Sequence, residues 1–305
     1  MSNRTKMWCV ICALGVFGVT AVAPGALIED DFEADTSSNY TIVDDSNAAS
    51  GDGTADSTST FAFDYIAAGI PLAPNSTAGD TGGLLFTVND SAGEADHIAA
   101  FNNTSITATN YRLQVDMYMR VEIGQSGSTE MAHVGVAGSS SDYISIFTPV
   151  VTNGHFISIT GEGGSSSDYR HSVPSIAAVP SGDSSYLDPA QTTNASGTLY
   201  QSLFPSTDFP GSPGNVWTTL TIDVTPTTVT YSLDGTPIIQ ATTEVSSGLI
   251  SLGYTDPFTS VGPHYVIYDN LSVTEISGAV PSPSSAAVFG LLGAVGCLLR
   301  RRSVG

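Results

Sequence analysis

The chain has 305 residues, with 29 acidic side chains against 8 basic ones. Between Glu29 and Glu275 the only basic residues are Arg112, Arg120 and Arg170, and that surplus of carboxylate repels phosphate backbones and excludes nucleic acid as a partner. Cys9, Cys12 and Cys297 all lie near the termini, which excludes disulfide, thiolate-metal and cysteine-nucleophile chemistry from the stretch between.

Residues 1–26 read as a signal peptide. Arg4 and Lys6 form a positive start, residues 7–22 are apolar, and Ala21, Ala23, Gly25 and Ala26 supply the small residues of a cleavage region. The acidic run Asp30-Asp31-Phe32-Glu33 follows. Asp44, Asp45, Asp52 and Asp56 share the composition of a calcium loop but not the EF-hand order, and read as a solvated loop. The clearest pattern is alternation over residues 111–123. Tyr111, Leu113, Val115, Met117, Met119, Val121 and Ile123 share one face, and Arg112, Gln114, Asp116, Tyr118, Arg120 and Glu122 share the other. Asp116 between two arginines reads as ordinary charge pairing on a sheet.

Further strands are expected at 40–44, 61–66, 84–89, 131–137, 143–148, 155–160, 217–225, 228–233, 237–241, 249–254 and 265–276, separated by Gly, Ser, Asn, Asp and Pro. Residues 161–215 read as long loops or an insertion, and Tyr169, Tyr186 and Tyr200 within them are candidates for a ligand-binding face. Short strands across residues 27–278, with no helical period, imply an all-β fold: a two-sheet antiparallel jelly-roll sandwich. It is flanked by an N-terminal signal helix and a C-terminal hydrophobic helix.

In the last third, Trp217 opens a strand, Asp234-Gly235 supplies a hairpin turn, and Asp269-Asn270-Leu271 sits in the closing strand. This order, with the opening Asp30-Asp31-Phe32-Glu33, resembles the concanavalin A-like (laminin G-like) jelly rolls. Residues 279–305 carry Pro281 and Pro283, an apolar span at 286–299, and Arg300, Arg301 and Arg302. That layout resembles the PEP-CTERM sorting tails, departing from them at Ser282, where the family has glutamate. The resemblance implies the export machinery and an exosortase-type membrane protease as partners, and a place at the cell surface or in the extracellular matrix, with membrane anchoring through the tail.

Asp269 is the most informative carboxylate. With unbroken alternation it shares a face with Ile267, Leu271 and Val273, and a charge facing a core must be paired, bonded or metal-bound. Where first and last strands lie side by side, as in many sandwiches of this kind, Asp269 meets Asp30, Asp31 or Glu33, a set suited to Ca2+. The competing reading is a β-bulge at Asp269-Asn270 that turns the acid outward, or a bond between the acid and backbone amides. Histidines 97, 133, 155, 171 and 264 form no pair at metal-ligand spacing. No Glu-x-Asp-x-x-Glu run and no Gly-x-Ser-x-Gly elbow occurs. The sequence therefore favours a non-catalytic surface protein that binds polysaccharide. A polysaccharide hydrolase or lyase and a purely structural envelope or biofilm protein are the alternatives.

Overall fold

The computed structural model describes residues 25–47, 53–91, 95–123, 130–139, 141, 154–163, 168–174, 176, 178–180, 182–188, 199–258 and 262–276. Residues 1–24 of the leader, the strand expected at 143–148, and the sorting residues Pro281, Pro283, Arg300, Arg301 and Arg302 lie outside the described residues.

The strands in chain order are β1 (Ala26–Asp30), β2 (Tyr40–Asp44), β3 (Thr58–Thr60), β4 (Leu84–Thr87), β5 (Asp96–Asn102), β6 (Tyr111–Arg120), β7 (Met131–Gly138), β8 (His155–Thr160), β9 (Tyr169–Ser172), β10 (Trp217–Val224), β11 (Thr228–Leu233), β12 (Thr236–Thr242), β13 (Leu249–Asp256) and β14 (Tyr265–Glu275). A single helical turn, α1 (Leu199–Leu203), lies in the long connection after β9. An eight-stranded sheet runs β12-β11-β10-β6-β14-β4-β3, with β1 also pairing to β14, and a six-stranded sheet runs β2-β5-β13-β7-β8-β9. Every described ladder is antiparallel. This is the expected two-sheet jelly-roll sandwich.

Alternation places the core. In β6, Leu113, Val115, Met117 and Met119 point between the sheets. They meet Ile98, Ala100, Val134, Ile157 and Leu252 from the six-stranded sheet. The β11–β12 hairpin turns on Asp234 at φ 47° and Gly235 at φ 76°, two positive values that match the twist of the flanking strands. Tyr268 ties the layers together. Its ring is fully buried, and its hydroxyl lies 2.9 Å from the His133 carbonyl and 2.8 Å from that of Gly253. Removing this hydroxyl with Tyr268→Phe is expected to cost about 1–2 kcal/mol, read as a lower urea midpoint at unchanged slope.

Four strands, β1, β3, β5 and β9, differ from the sequence reading. The stretch 61–66 is not a strand; the strand is β3, just before it. Residues 61–83 instead fold back over the outer face of the large sheet. There Tyr65, Ile70 and Ala73 close a second, smaller core on Tyr118 and Ile267, with Trp217 packed against it. The Trp217 indole N–H donates to the Pro71 carbonyl at 2.7 Å, and its ring meets Tyr65 edge-on at 5.2 Å. Strand β5 had not been expected, because all seven of its residues are buried and it shows no alternation. β1 starts at Ala26, inside the segment read as leader, and β9 lies inside the stretch read as loops.

Candidate functional site

The site is organised by a bulge in β14. Asp269 sits opposite Asp116, and Ser272 sits opposite Gln114, so β14 holds one residue more than β6 over this stretch. Asn270 takes the strained position at φ 52°, which asparagine tolerates better than most residues. The extra residue reverses the alternation. Leu271 and Val273 face the main core, while Ile267 and Asp269 face outward under residues 61–83. Asp269 therefore does not share a face with Leu271 and Val273, and its neighbouring carboxylate is Asp116 rather than Asp30, Asp31 or Glu33.

Asp116 and Asp269 are both almost fully buried, yet neither meets a cation among the described residues. Neutral donors surround them instead. Asp116 accepts from the Asn75 backbone N–H at 2.9 Å, Asn75 Nδ2 at 2.7 Å, Thr219 Oγ1 at 2.7 Å and Asn270 Nδ2 at 3.0 Å. Asp269 accepts from Tyr65 Oη at 2.9 Å, Ser76 Oγ at 2.8 Å and its neighbour's backbone N–H at 2.6 Å. Burial, aided by the charge of Asp116 and opposed by the three donors, pushes the Asp269 carboxyl up to about 6.

The other expected calcium ligands are spent separately. Asp30 accepts from the Phe32 N–H, Thr36 Oγ1 and the Tyr40 hydroxyl at 3.0, 2.8 and 2.9 Å. Asp31 Oδ1 accepts from the Glu33 N–H at 3.2 Å, and Glu33 Oε1 takes the N–H groups of Thr81 and Gly82, each at 2.8 Å. The bulge is the physical reason the expected set does not assemble. No group of three or more His, Cys, Asp or Glu placed to hold a metal occurs among the described residues.

Beside this network lies a groove of about 450 Å³ on the outer face of the large sheet, where β1 and β14 meet residues 75 and 39. Glu29, Asp31, Asn39, Asn75, Gln114 and Asn270 contribute to its lining. A second hollow of about 360 Å³ borders β1, sharing Glu29, Asp30 and Asn39 and reaching Asn102 and Asn103. Register aligns Glu29, Ser272, Gln114, Thr221 and Ser232 in one row across five strands. The next row holds Arg112, which is locked onto Asp223 by two bonds of 2.7 and 2.8 Å. The groove is thus floored by fixed strand positions carrying amides, hydroxyls and carboxylates.

The three candidate tyrosines are not on a binding face. Tyr169, Tyr186 and Tyr200 are at most 3% exposed and belong to the main core. The Tyr169 and Tyr200 rings stack at 4.1 Å, and the hydroxyls of Tyr169 and Tyr186 donate to the carbonyls of Gly211 and Val179. Aromatic area in a polar connection was needed to pack that connection down. The histidines also go separate ways: His97 meets Asp45, His133 Ser158, His155 Thr243, His171 Ser185 and His264 Glu130. Sequence reasoning missed Asn75, Gln114 and Asn270. Only Asn270 carried a usable signal, as an asparagine directly after a carboxylate at the proposed bulge.

No protein-family model matches the chain, and no curated protein matches it in sequence. Solved structures are similar to it at low identity. The Emp46p carbohydrate recognition domain in its metal-free form has 10% identity and a TM-score of 0.43, covering 82% of this chain and 94% of that one. A Bacillus subtilis protein with a galectin-like fold has 8% identity and a TM-score of 0.42, covering 83% and 97%. The carbohydrate-binding module CBM66 from Bacillus subtilis has 11% identity and a TM-score of 0.36, covering 63% and 86%.

Proposed function

We propose that this chain is an exported surface protein whose sandwich binds extracellular polysaccharide, without turning it over, in the groove beside β1. The observation that carries the reading is the lining of that groove. Amides, hydroxyls and carboxylates on rigid strands offer the donors and acceptors that a row of sugar hydroxyls requires. Binding is favoured over catalysis by the state of the nearest carboxylate pair. All four oxygens of Asp116 and Asp269 already accept bonds from the chain's own donors, so neither is free to exchange a proton with a ligand. Export rests on the leader with Arg4 and Lys6. Retention through an exosortase-type protease rests on the tail with Pro281, Pro283, Arg300, Arg301 and Arg302.

The full chain, purified in detergent and titrated across a glycan array, is expected to show saturable binding. Gln114→Ala removes a groove amide with no other assigned bond and is expected to weaken that binding about tenfold. Absence of binding to every neutral and charged glycan rejects the proposal. Protease treatment of intact cells tests the location, because an exported domain is degraded and an internal one is spared.

A further inference from the structure

We infer that the groove beside β1 selects amine-bearing glycans, chains of hexosamine with free amino groups, over neutral ones, and rejects chains carrying uronate or sulfate. The inference rests on the polysaccharide reading of that groove and adds the charge class of its ligand. Two of its carboxylates are still available. Glu29 is exposed on β1, and nothing among the described residues donates to it. Asp31 is exposed too, and only its Oδ1 is engaged, by the Glu33 N–H. By contrast Asp30, between them in sequence, is buried and used internally.

Among the described residues no basic side chain lines the groove to offset this charge. The one arginine on the adjoining row, Arg112, is held by both oxygens of Asp223 and does not stand free as a counter-ion. A sugar ring placed against Gln114, Asn75 and Asn270 thus finds the Gln114 amide and the side-chain carbonyl oxygens of Asn75 and Asn270 for its hydroxyls, and only negative charge for any ionised substituent. An ammonium on that ring gains from Glu29 and Asp31, and a carboxylate or sulfate is repelled by both.

The test titrates the full chain with three oligosaccharides of equal length: fully acetylated chitooligosaccharide, its fully de-N-acetylated form, and oligogalacturonate. The de-N-acetylated form is expected to bind about tenfold more tightly than the acetylated one at low salt, with the advantage shrinking as salt rises. The uronate is expected not to bind. In the double variant Glu29→Gln/Asp31→Asn the ratio of the two affinities is expected to fall to about one, whatever the variant does to the affinity for the acetylated form. An amine preference that survives in the double variant comes from the general acidity of the surface and overturns the inference. Equal binding of amine and acetylated forms overturns it as well, but leaves the polysaccharide reading standing. Binding of none of the three, together with a blank glycan array, rejects both.

Discussion

Asp116→Ala is expected to destabilise the domain by about 3–5 kcal/mol, because it strands buried hydrogen-bond donors rather than deleting a surface charge. Asn75 N–H, Asn75 Nδ2, Thr219 Oγ1 and Asn270 Nδ2 all converge on this carboxylate. Two of those residues belong to different walls of the groove: Asn75 comes from the segment folded over the sheet, and Asn270 from the bulge. Loss of Asp116 therefore loosens the 61–83 segment and the groove together. Asp116→Asn is expected to cost less, since one carbonyl oxygen remains for two of the donors. Urea unfolding of both variants checks the order. A loss below about 1 kcal/mol for the alanine variant shows that the apolar packing of Tyr65, Ile70 and Trp217 alone holds the segment down.

Acid is expected to unfold the protein through its histidines rather than its carboxylates. Burial lowers the affinity of His133, His155 and His171 for a proton, from 6.5 to about 3, 4 and 4. The contribution of each is complete above 6.5 and drains away as pH falls from there toward these values. Asp96 and Asp269 act with the opposite sign. Burial raises both from 3.8 to about 6, so their contribution is complete below 3.8 and is lost as pH rises through 6. Burial lowers His264, but the bond and charge of Glu130, with Glu162 and Glu122, outweigh it and hold the imidazole above its usual value, which adds to the same side. At ~1.4 kcal/mol per pH unit, the three histidines remove ~9 kcal/mol between neutrality and pH 4, and the two aspartates return ~5. The expected net loss of ~4 kcal/mol is a large part of a typical domain's stability. Urea midpoints measured from pH 8 to pH 4 should fall steadily below about 6.5. His155→Gln, whose amide can reach Thr243, should flatten the fall. A midpoint that stays level down to pH 4.5 contradicts the assignment.

Strands bounded by turn residues were legible in the sequence, even where every residue is buried, as in β8. β2, β8 and β11 match the expected bounds because each ends at turn residues that carry a local signal. β5 begins with Asp96 and His97, both buried, and nothing in its composition marks a central strand. The stretch 61–66 has the aromatic and β-branched content of a strand, but that content packs onto a sheet from outside. The same ambiguity misplaced Tyr169, Tyr186 and Tyr200, since a tyrosine in a long connection looks alike whether it anchors the loop or greets a ligand. Asp116 looked like half of a surface ion pair with its flanking arginines. Its true partners, Asn75, Thr219 and Asn270, lie 41, 103 and 154 residues away, beyond any local pattern.

The pairing of β1 with β14 sets Ala26 opposite Thr274, so the chain enters and leaves the sandwich at one point of one sheet edge. Tension applied between the two termini opens that ladder like a zipper, one bond after another, because antiparallel bonds lie across the strands. Tension between the groove and Glu275 runs along β14 instead. There the register with β6, from Tyr265 opposite Arg120 to Glu275 opposite Tyr111, is loaded in shear, with many bonds resisting at once. The domain is expected to be mechanically soft when stretched end to end and stiff when load is applied along β14.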